Sequence, residues 1–380
     1  MTEVTARKID ELLNLEADPL LITSFFMSVD GAAFPRKEYR EAADRLLKEH
    51  AKQTEGNELT REQRRSLEID RDRIRNFVEL EFERGAIRGL GLFSCGGKDF
   101  WQVYEFARPV EDKVTAAPEP YIRPLSALLD NHPKYCLLLV DRSKARIFEV
   151  TQGEIVERSE VLTEVPARVR EGGWYGLEEK RIERHIDDHV HRHWKQVAET
   201  TFDFFRRYDF DWLIVGGHDQ EIREFEAHLH PYLQERVVGT LRAGPETPFA
   251  DVFEASLIVQ RMAESDAEEK AVRRLVDATS QGWGVAGLAP TLDALQAGQV
   301  QTLVLSEGLV SPGKRCPNCG LLQASAEVCP ICDRPLVAVP DVLEKAVELA
   351  FRQRCRIEHI QSSTPVQPAE GVGAILRARP

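Results

Sequence analysis

Four cysteines in the segment CPNCGLLQASAEVCPIC constrain the fold of this chain more than any other feature. They form two C-x2-C pairs separated by nine residues, and they are Cys316, Cys319, Cys329 and Cys332. Two such pairs can place four thiolates around one tetrahedral ion, and the short insert is typical of a small zinc ribbon. Because four thiolates fill the coordination shell, the pattern predicts a structural Zn2+ site rather than a catalytic one. The alternative is two reduced surface pairs or a redox couple.

Composition bounds the class of protein. The chain has 380 residues, of which 42% are hydrophobic and 30% charged, and this fits a soluble protein of two or three domains. No apolar run approaches the roughly 20 residues of a membrane span, and the start, MTEVTARKIDELLNLE, does not resemble a signal peptide. Seven cysteines are too few for a disulfide scaffold. We therefore expect a cytoplasmic protein with no membrane partner.

The net charge of −13 argues against a protein that holds nucleic acid by bulk electrostatics, and we expect no DNA partner. A local basic patch is compatible with this balance, because a large ribonucleoprotein can be bound by one lobe while the rest of the chain stays acidic.

Alternating strand and helix patterns predict an α/β fold with three α/β domains. We place these at residues 1–117, 118–276 and 277–380, with the cysteine segment inserted into the third at about 312–336. The segment VTAAPEPYIRPL, rich in Pro and Ala, is predicted to carry the chain from the first domain to the second.

The patterns also predict individual elements. KYCLLLVDRSKARIFEVTQGEIVERSEV alternates well enough to form three strands joined by tight turns at DRSK and TQGE. ADVFEASLIVQRMAESDAEEKAVRRLVDATSQG predicts one or two helices. In the third domain, VQTLVLSEGL and CRIEHIQ predict strands, with the helix PDVLEKAVELAFRQ between them and a closing strand at GVGAILR.

A histidine-rich helix follows the middle of the chain. His185, His189 and His193 lie at i, i+4 and i+8 and therefore share one face. The first two could chelate a metal ion, but the helix lacks the Glu that follows the first His in metalloprotease helices. We therefore favour a face that is solvated, or that packs on RNA or on the protein core.

The segment VGGHD ends a predicted strand and begins a predicted helix, where backbone N–H groups could bind a phosphate. It has no Lys-Ser/Thr pair and no third spaced glycine, so a plain turn is favoured over a phosphate-binding loop.

A glycine and aromatic tip stands in front of the histidine helix: Gly172, Gly173, Trp174 and Tyr175. The glycines let the backbone approach another surface closely, and the two aromatic rings offer flat faces for stacking on bases or on a peptide. Nearby cations supply the local positive charge that the overall balance lacks, among them Lys180, Arg181 and Arg184. The tip is thus a candidate RNA-binding loop, with an exposed hairpin that has no partner as the alternative.

The order of these features resembles the bacterial relatives of the archaeal and eukaryotic class I release factors. The resemblance runs over essentially the whole chain, including LIVGGHDQEIREFEAHLHPYLQERVVGTL. It is most specific in the third domain, with its helix, the strand VQTLVLSEGL and the four-cysteine insertion, and in the arrangement of the loop and helix in the second domain. It implies a ribonuclease-H-like middle domain and a C-terminal domain like the kink-turn-binding ribosomal proteins. It also implies the ribosome as partner, with contacts to rRNA and P-site tRNA, and in some members a translational GTPase.

The resemblance fails at the catalytic motif of the family. Release factors carry a Gly-Gly-Gln loop that positions water against the peptidyl-tRNA ester, whereas Gly173 is followed here by Trp174. Tryptophan offers one N–H donor and no acceptor, so it cannot arrange a nucleophilic water as glutamine does. Other members of the superfamily lack the glutamine as well, such as Pelota in ribosome rescue and the hibernation factor Balon in the A site of idle ribosomes.

These observations lead to three hypotheses of function. The first is a ribosome-associated factor that binds the A site in rescue, quality control or hibernation without hydrolysing an ester. The second is a peptidyl-tRNA hydrolase like the Vms-type factors, for which Glu178, Glu179 and His185 are the nearest candidate general bases. The third is an interaction module that acts outside translation.

Overall fold

The structure is a computed structural model of the full chain. It describes residues 4–31, 34, 38–56, 58–85, 87–106, 109–130, 134–151, 154–162, 176–361, 364 and 367–378. The described residues form a mixed α/β protein, as predicted, and they divide into two compact units. Unit 1 combines Met1–Asn131 with Glu268–Pro380, and unit 2 is His132–Ala267. The division into three domains stays a prediction.

The N-terminal part of unit 1 is an antiparallel sheet with helices against it. Its elements are α1 (Ala6–Leu13), β1 (Ile22–Ser28), α2 (Tyr39–Glu55), α3 (Arg61–Asn76), β2 (Gly89–Cys95), β3 (Phe100–Phe106), β4 (Lys113–Ala117) and α4 (Arg123–Asp130). The sheet order is β3-β2-β1-β4. Helix α3 starts where the sequence TREQ provides a capping box, since the Thr60 hydroxyl accepts from the N–H of Gln63 and the Gln63 side chain accepts from the N–H of Thr60.

The predicted connection VTAAPEPYIRPL was wrong in part, because its first residues belong to β4, which pairs with β1 from Ile22↔Ala117 to Phe26↔Lys113. Its last residues begin α4, which composition did not predict. A short strand beside a proline-rich stretch carries little local signal, and its pairing partner lies far away in sequence.

Unit 2 is built on a five-stranded sheet with the order β7-β6-β5-β8-β9. Its elements are β5 (Tyr135–Val140), β6 (Lys144–Thr151), β7 (Glu154–Leu162), α5 (Gly176–Tyr208), β8 (Trp212–Gly216), α6 (Asp219–Glu226), α7 (Pro231–Gln234), β9 (Val237–Leu241) and the part of α8 (Phe249–Ser280) that ends at Ala267; the rest of α8 belongs to unit 1. The three predicted strands are confirmed as β5, β6 and β7, which pair antiparallel. Strands β5, β8 and β9 are parallel neighbours.

The central strand β5 is a continuous apolar run because the sheet is covered on both of its faces. Alternate residues pack on opposite faces of the sheet, so that Leu138 lies in one core with Trp194 of α5, and Leu137 lies in the other core with Val252 of α8. Strands buried on both faces are typical of parallel sheets covered by helices.

The C-terminal part of unit 1 adds a mixed sheet with the order β10-β16-β11-β15 and a small three-stranded sheet with the order β13-β12-β14. Its elements are β10 (Gly284–Ala286), α9 (Leu288–Gln296), β11 (Val300–Ser306), β12 (Gly313–Arg315), β13 (Leu322–Gln323), β14 (Val337–Val339), α10 (Val342–Arg352), β15 (Arg356–Ile360) and β16 (Val372–Leu376). The predicted strands and helices of this region are confirmed as β11, α10, β15 and β16. The one-or-two-helix segment is the single helix α8.

One apolar core joins the two parts of unit 1. It includes Ile9 and Phe26 from the N-terminal part and Leu303 and Leu343 from the C-terminal part, all with 1% exposure or less. None of the helices in the described ranges combines the length and the apolar character that crossing a bilayer requires.

Candidate functional site

The small sheet of unit 1 positions the four cysteines. Cys316 follows β12 directly, and its N–H donates to the carbonyl of Leu321, while the N–H of Gly320 donates back to the carbonyl of Cys316. Gly320 has φ +76°, a left-handed conformation that glycine adopts without strain. A second turn of the same kind surrounds Cys329. Each C-x2-C pair therefore lies on a tight turn, and the two turns bring the four sulfur atoms together.

The thiols of the two pairs lie close to each other. The Sγ atoms of Cys316 and Cys332 are 3.4 Å apart, those of Cys319 and Cys329 are 3.5 Å apart, and those of Cys319 and Cys332 are 3.9 Å apart. All four lie within 4.8 Å of one another and none forms a disulfide. Four thiolates around a tetrahedral ion at about 2.3 Å would be roughly 3.8 Å apart. The cysteines form one cage that could hold a metal ion, rather than two separate pairs.

The local backbone favours the thiolate form of Cys316, whereas burial and the neighbouring thiols raise the pKa values of Cys319 and Cys332. The N–H of Cys319 points to the sulfur of Cys316 at 3.5 Å and, with further donors nearby, lowers the pKa of the Cys316 thiol to about 6. A thiolate is the form that ligates a metal ion.

The glycine and aromatic tip lies outside the described residues, which resume at the start of α5. The predicted long helix is confirmed as α5, and its first turns contain Glu178, Glu179, Lys180, Arg181, Arg184 and His185. The side chains of these residues lie outside the described part of the chain. Their proposed roles in RNA binding or as a general base stay predictions.

The histidine face of α5 is buried at His193 and half-buried at His189. His193 is fully buried, and burial lowers the pKa of its imidazole. Trp194 is buried beside it, and its indole N–H donates to the carbonyl of Asp141 at 3.0 Å. His193 therefore packs on the protein core, which is one of the three environments considered for this face of the helix.

The sequence patterns did not predict a contact between His191 and His228. Nδ1 of His191 lies 3.2 Å from Nε2 of His228, and Nδ1 of His228 lies 3.0 Å from the carbonyl oxygen of Glu224. Because a carbonyl only accepts, His228 donates through Nδ1 and accepts through Nε2, so His191 donates through its Nδ1. The two histidines are 37 residues apart, and the pair forms because the turn after α6 lies against α5.

The turn VGGHD connects β8 to α6 as predicted. Its glycines are required by close packing, since a Cβ on Gly216 would lie 2.5 Å from Cδ2 of Leu139 and one on Gly217 would lie 2.6 Å from the carbonyl oxygen of Val140. At the helix start, Arg242 forms two hydrogen bonds with the carboxylate of Asp219, at 2.7 and 3.1 Å. Packing alone explains both glycines.

Comparison with known proteins places these features in a family context. Residues 120–261 match the family described as Bacterial archaeo-eukaryotic release factor family 10. The chain is 25% identical to Peptide chain release factor subunit 1 of Archaeoglobus fulgidus over 98% of its own length and 97% of the relative. It is 24% identical to the protein of the same name from Methanobrevibacter smithii over 82% of each chain.

Solved structures of related proteins align with low scores. An archaeal translation termination factor, aRF1, covers 98% of this chain with 19% identity and a TM-score of 0.27. Archaeoglobus fulgidus Pelota covers 78% with 15% identity and a TM-score of 0.34. The relationship therefore rests on sequence. By that measure this chain is similar over its length to archaeal release factors, and residues 120–261 match Bacterial archaeo-eukaryotic release factor family 10.

Proposed function

We propose that the protein is a ribosome-associated translation factor that binds the A site in rescue, quality control or hibernation. The observation that carries this proposal is the full-length sequence similarity to archaeal release factors, since 98% of the chain aligns with 97% of one such relative. The ribosome, through rRNA and P-site tRNA, is its partner on this proposal. A translational GTPase is a further partner, by analogy with the superfamily.

The proposed factor binds without hydrolysing peptidyl-tRNA. Gly172 and Gly173 are present, but Trp174 stands where release factors have the glutamine that orients water. An indole has one N–H donor and no acceptor, so it can stack on a base but cannot hold a water for attack on the ester. On this proposal the loop is a probe that enters an RNA cavity, with Lys180, Arg181 and Arg184 touching phosphates.

We propose further that the four-cysteine cage binds zinc and has a structural role. Four sulfur donors that all lie within 4.8 Å of one another fit a single tetrahedral ion, and four cysteines in two C-x2-C pairs are typical of structural zinc sites. The residues that would hold it are Cys316, Cys319, Cys329 and Cys332. A bound ion would fix the two tight turns relative to each other and would leave no coordination position for a substrate.

Sedimentation through a sucrose gradient tests the central proposal. The tagged full-length protein in lysates from growing and from starved cells should migrate with ribosomal particles, and enrichment after starvation would favour hibernation over rescue. Simultaneous replacement of Gly172, Gly173 and Trp174 by alanine should reduce this association. Absence of the wild-type protein from every ribosomal fraction would contradict the proposal and favour an interaction module outside translation.

A peptide-release assay separates the binding factor from a hydrolase. Ribosomes that carry a labelled peptidyl-tRNA should retain the label when the wild-type protein is added. Release by the wild type would favour the hydrolase, and replacement of Glu178, Glu179 or His185 would then identify the base.

A further inference from the structure

Three aromatic rings form a continuous stack on the surface of unit 2. The ring of Phe202, on α5, lies 4.2 Å from the imidazole of His230, with 21° between the planes. The imidazole lies in turn 5.2 Å from the ring of Tyr232, with 24° between the planes. The order Phe202, His230, Tyr232 runs outward from the protein, since Phe202 is half-buried while the other two are exposed.

The outermost ring is unusually open to solvent. Tyr232 is 60% exposed, more than any other tyrosine, phenylalanine or tryptophan among the described residues. Exposing a ring of this size forgoes the stabilisation that burial would give. Since no other described ring contacts it, its outer face is available to a further flat group.

The backbone holds this ring in place. His230 is the N-cap of α7, and its Nδ1 accepts from the N–H of Tyr232 at 3.3 Å, while Pro231 occupies the first helical position with a fixed φ. The carbonyl of Tyr232 accepts from Nη1 of Arg236 at 2.8 Å, and that guanidinium lies 4.5 Å above the ring of Phe205. A flat partner would therefore meet a surface that is already ordered, which reduces the entropy lost on binding.

Positive charge lies beside the stack. Arg206 is one helical turn after Phe202 and so lies on the same side of α5. Its side chain is 70% exposed, and its ion pair with Asp203 is at the limit of contact, at 4.0 Å. A planar partner that carries a phosphate would find this guanidinium close to the rings. Asp203 and the exposed Glu235 offset part of this charge, so stacking contributes more than ion pairing.

We propose that the stack of Phe202, His230 and Tyr232 is a platform for one unpaired nucleobase of RNA. This inference rests on the proposed function, because it takes rRNA as the partner of these three residues. Aromatic side chains bind splayed bases in this way with little sequence preference, since every base offers a π face. The exposed Nε2–H of His230, whose Nδ1 is an acceptor, provides one hydrogen-bond donor at the edge of the stack.

Binding of the full-length protein to purified ribosomes, with three variants, tests the platform. Tyr232→Ala should weaken binding about tenfold, since loss of one stacked base costs on the order of a factor of ten in affinity. Tyr232→Phe keeps the ring and should bind within about twofold of the wild type. His230→Asn keeps a side chain that can cap α7 but removes the middle ring, so it should also weaken binding. Circular dichroism confirms that each variant is folded.

The outcomes separate the platform from the proposed function. If the wild type binds ribosomes and Tyr232→Ala binds equally well, the platform is overturned and the function stands. If the wild type does not bind ribosomes, the proposed function fails, and binding of a fluorescent single-stranded oligouridine to the protein then tests the platform by itself. Binding by the wild type that is lost in Tyr232→Ala supports the platform, and any other result overturns it. A photo-crosslinking amino acid at position 232 should react with rRNA, and reaction with ribosomal protein alone would exclude base stacking.

Discussion

Arg123 and Asp341 form a buried ion pair, although 218 residues separate them in the chain. Nη1 of Arg123 lies 3.0 Å from Oδ2 of Asp341, and the side chains are 8% and 5% exposed. Arg123 also donates to the carbonyl of Leu309 at 2.6 Å, and Asp341 also accepts from the N–H of Leu343 as the N-cap of α10. One arginine at the start of α4 thus connects the N-terminal part of unit 1 with the first turn of a helix in its C-terminal part.

Replacing Arg123 by methionine should destabilise the protein strongly. The change leaves Asp341 buried without its cation, and breaking a buried pair in this way typically costs about 3–5 kcal/mol. Urea denaturation measures the free energy of unfolding. Arg7→Gln is the matched control, because Arg7 pairs with Glu11 on the surface and its side chain is 88% exposed, so this variant should unfold at close to the wild-type urea concentration. Equal stability of the two variants would contradict a structural role for the buried pair.

The zinc content of the protein should depend on the four cysteines of the cage and not on the other cysteines. We expect one zinc ion per chain in the wild type, and Cys329→Ser should lose it, because a serine hydroxyl is a much poorer ligand than a thiolate. Cys355→Ser is the control, since Cys355 is buried outside the cage and its Sγ donates to the carbonyl of Val300, a contact that a hydroxyl can keep. Elemental analysis of purified proteins checks this. Full zinc in Cys329→Ser would exclude the four-sulfur site.

Sequence patterns predicted what is local and missed what is distant. The three strands β5, β6 and β7 follow from alternation and two turns, and Asp141 completes the first turn by accepting from the N–H groups of Ser143 and Lys144. The cysteine cage follows from spacing because both pairs lie within 17 residues.

Features that depend on packing left no such signal. Strand β4 needs β1 as its partner, and the pair His191–His228 needs the turn after α6 to lie against α5. The inward direction of His193 is fixed by how α5 rests on the sheet, so the helical period alone left several interpretations of that face open.

His50 should make the protein less stable in mild acid. Its imidazole is 4% exposed, neither ring nitrogen has a hydrogen-bond partner among the described residues, and burial together with the charge of Arg71 lowers its pKa to about 4. The unfolded chain binds this proton near pH 6.5 while the folded chain does not, so the free energy of unfolding falls as the pH drops from about 6.5 toward 4.

The variant His50→Leu should remove this part of the pH dependence. It takes away the group that titrates and leaves an apolar side chain in a buried position. Denaturation curves at pH 7.5 and pH 5 measure the effect, and His218→Gln, at an exposed histidine, should keep the wild-type difference. An unchanged difference in His50→Leu would assign the acid sensitivity to other groups.

Gly217 should tolerate no side chain, for reasons of packing. A Cβ would lie 2.6 Å from the carbonyl oxygen of Val140, a backbone atom that cannot rotate away. Gly217→Ala should therefore lower the free energy of unfolding by about 1–3 kcal/mol, the usual cost of overpacking. Gly244→Ala is the control, because nothing lies within 4 Å of its Cβ position, and it should change stability by about 0.5 kcal/mol or less. Thermal denaturation compares them, and equal effects would refute the packing explanation.

Placing the glutamine of release factors after Gly173 should give the protein a peptide-release activity that we expect the wild type to lack. Trp174→Gln creates the sequence Gly-Gly-Gln, and an amide can both donate to and accept from a water, which an indole cannot. If the chain places its loop as release factors do, the variant should release peptide from ribosomes that carry peptidyl-tRNA, and the wild type should not. Adding Gly173→Ala to this variant should abolish the gain, because the extra methyl group restricts the backbone that carries the amide. Normal ribosome binding without any release by Trp174→Gln would mean that this loop does not reach the ester. Release by the wild type would instead require a general base elsewhere on the chain. The absence of a glutamine after Gly173 would then no longer indicate a factor that binds ribosomes without releasing peptide.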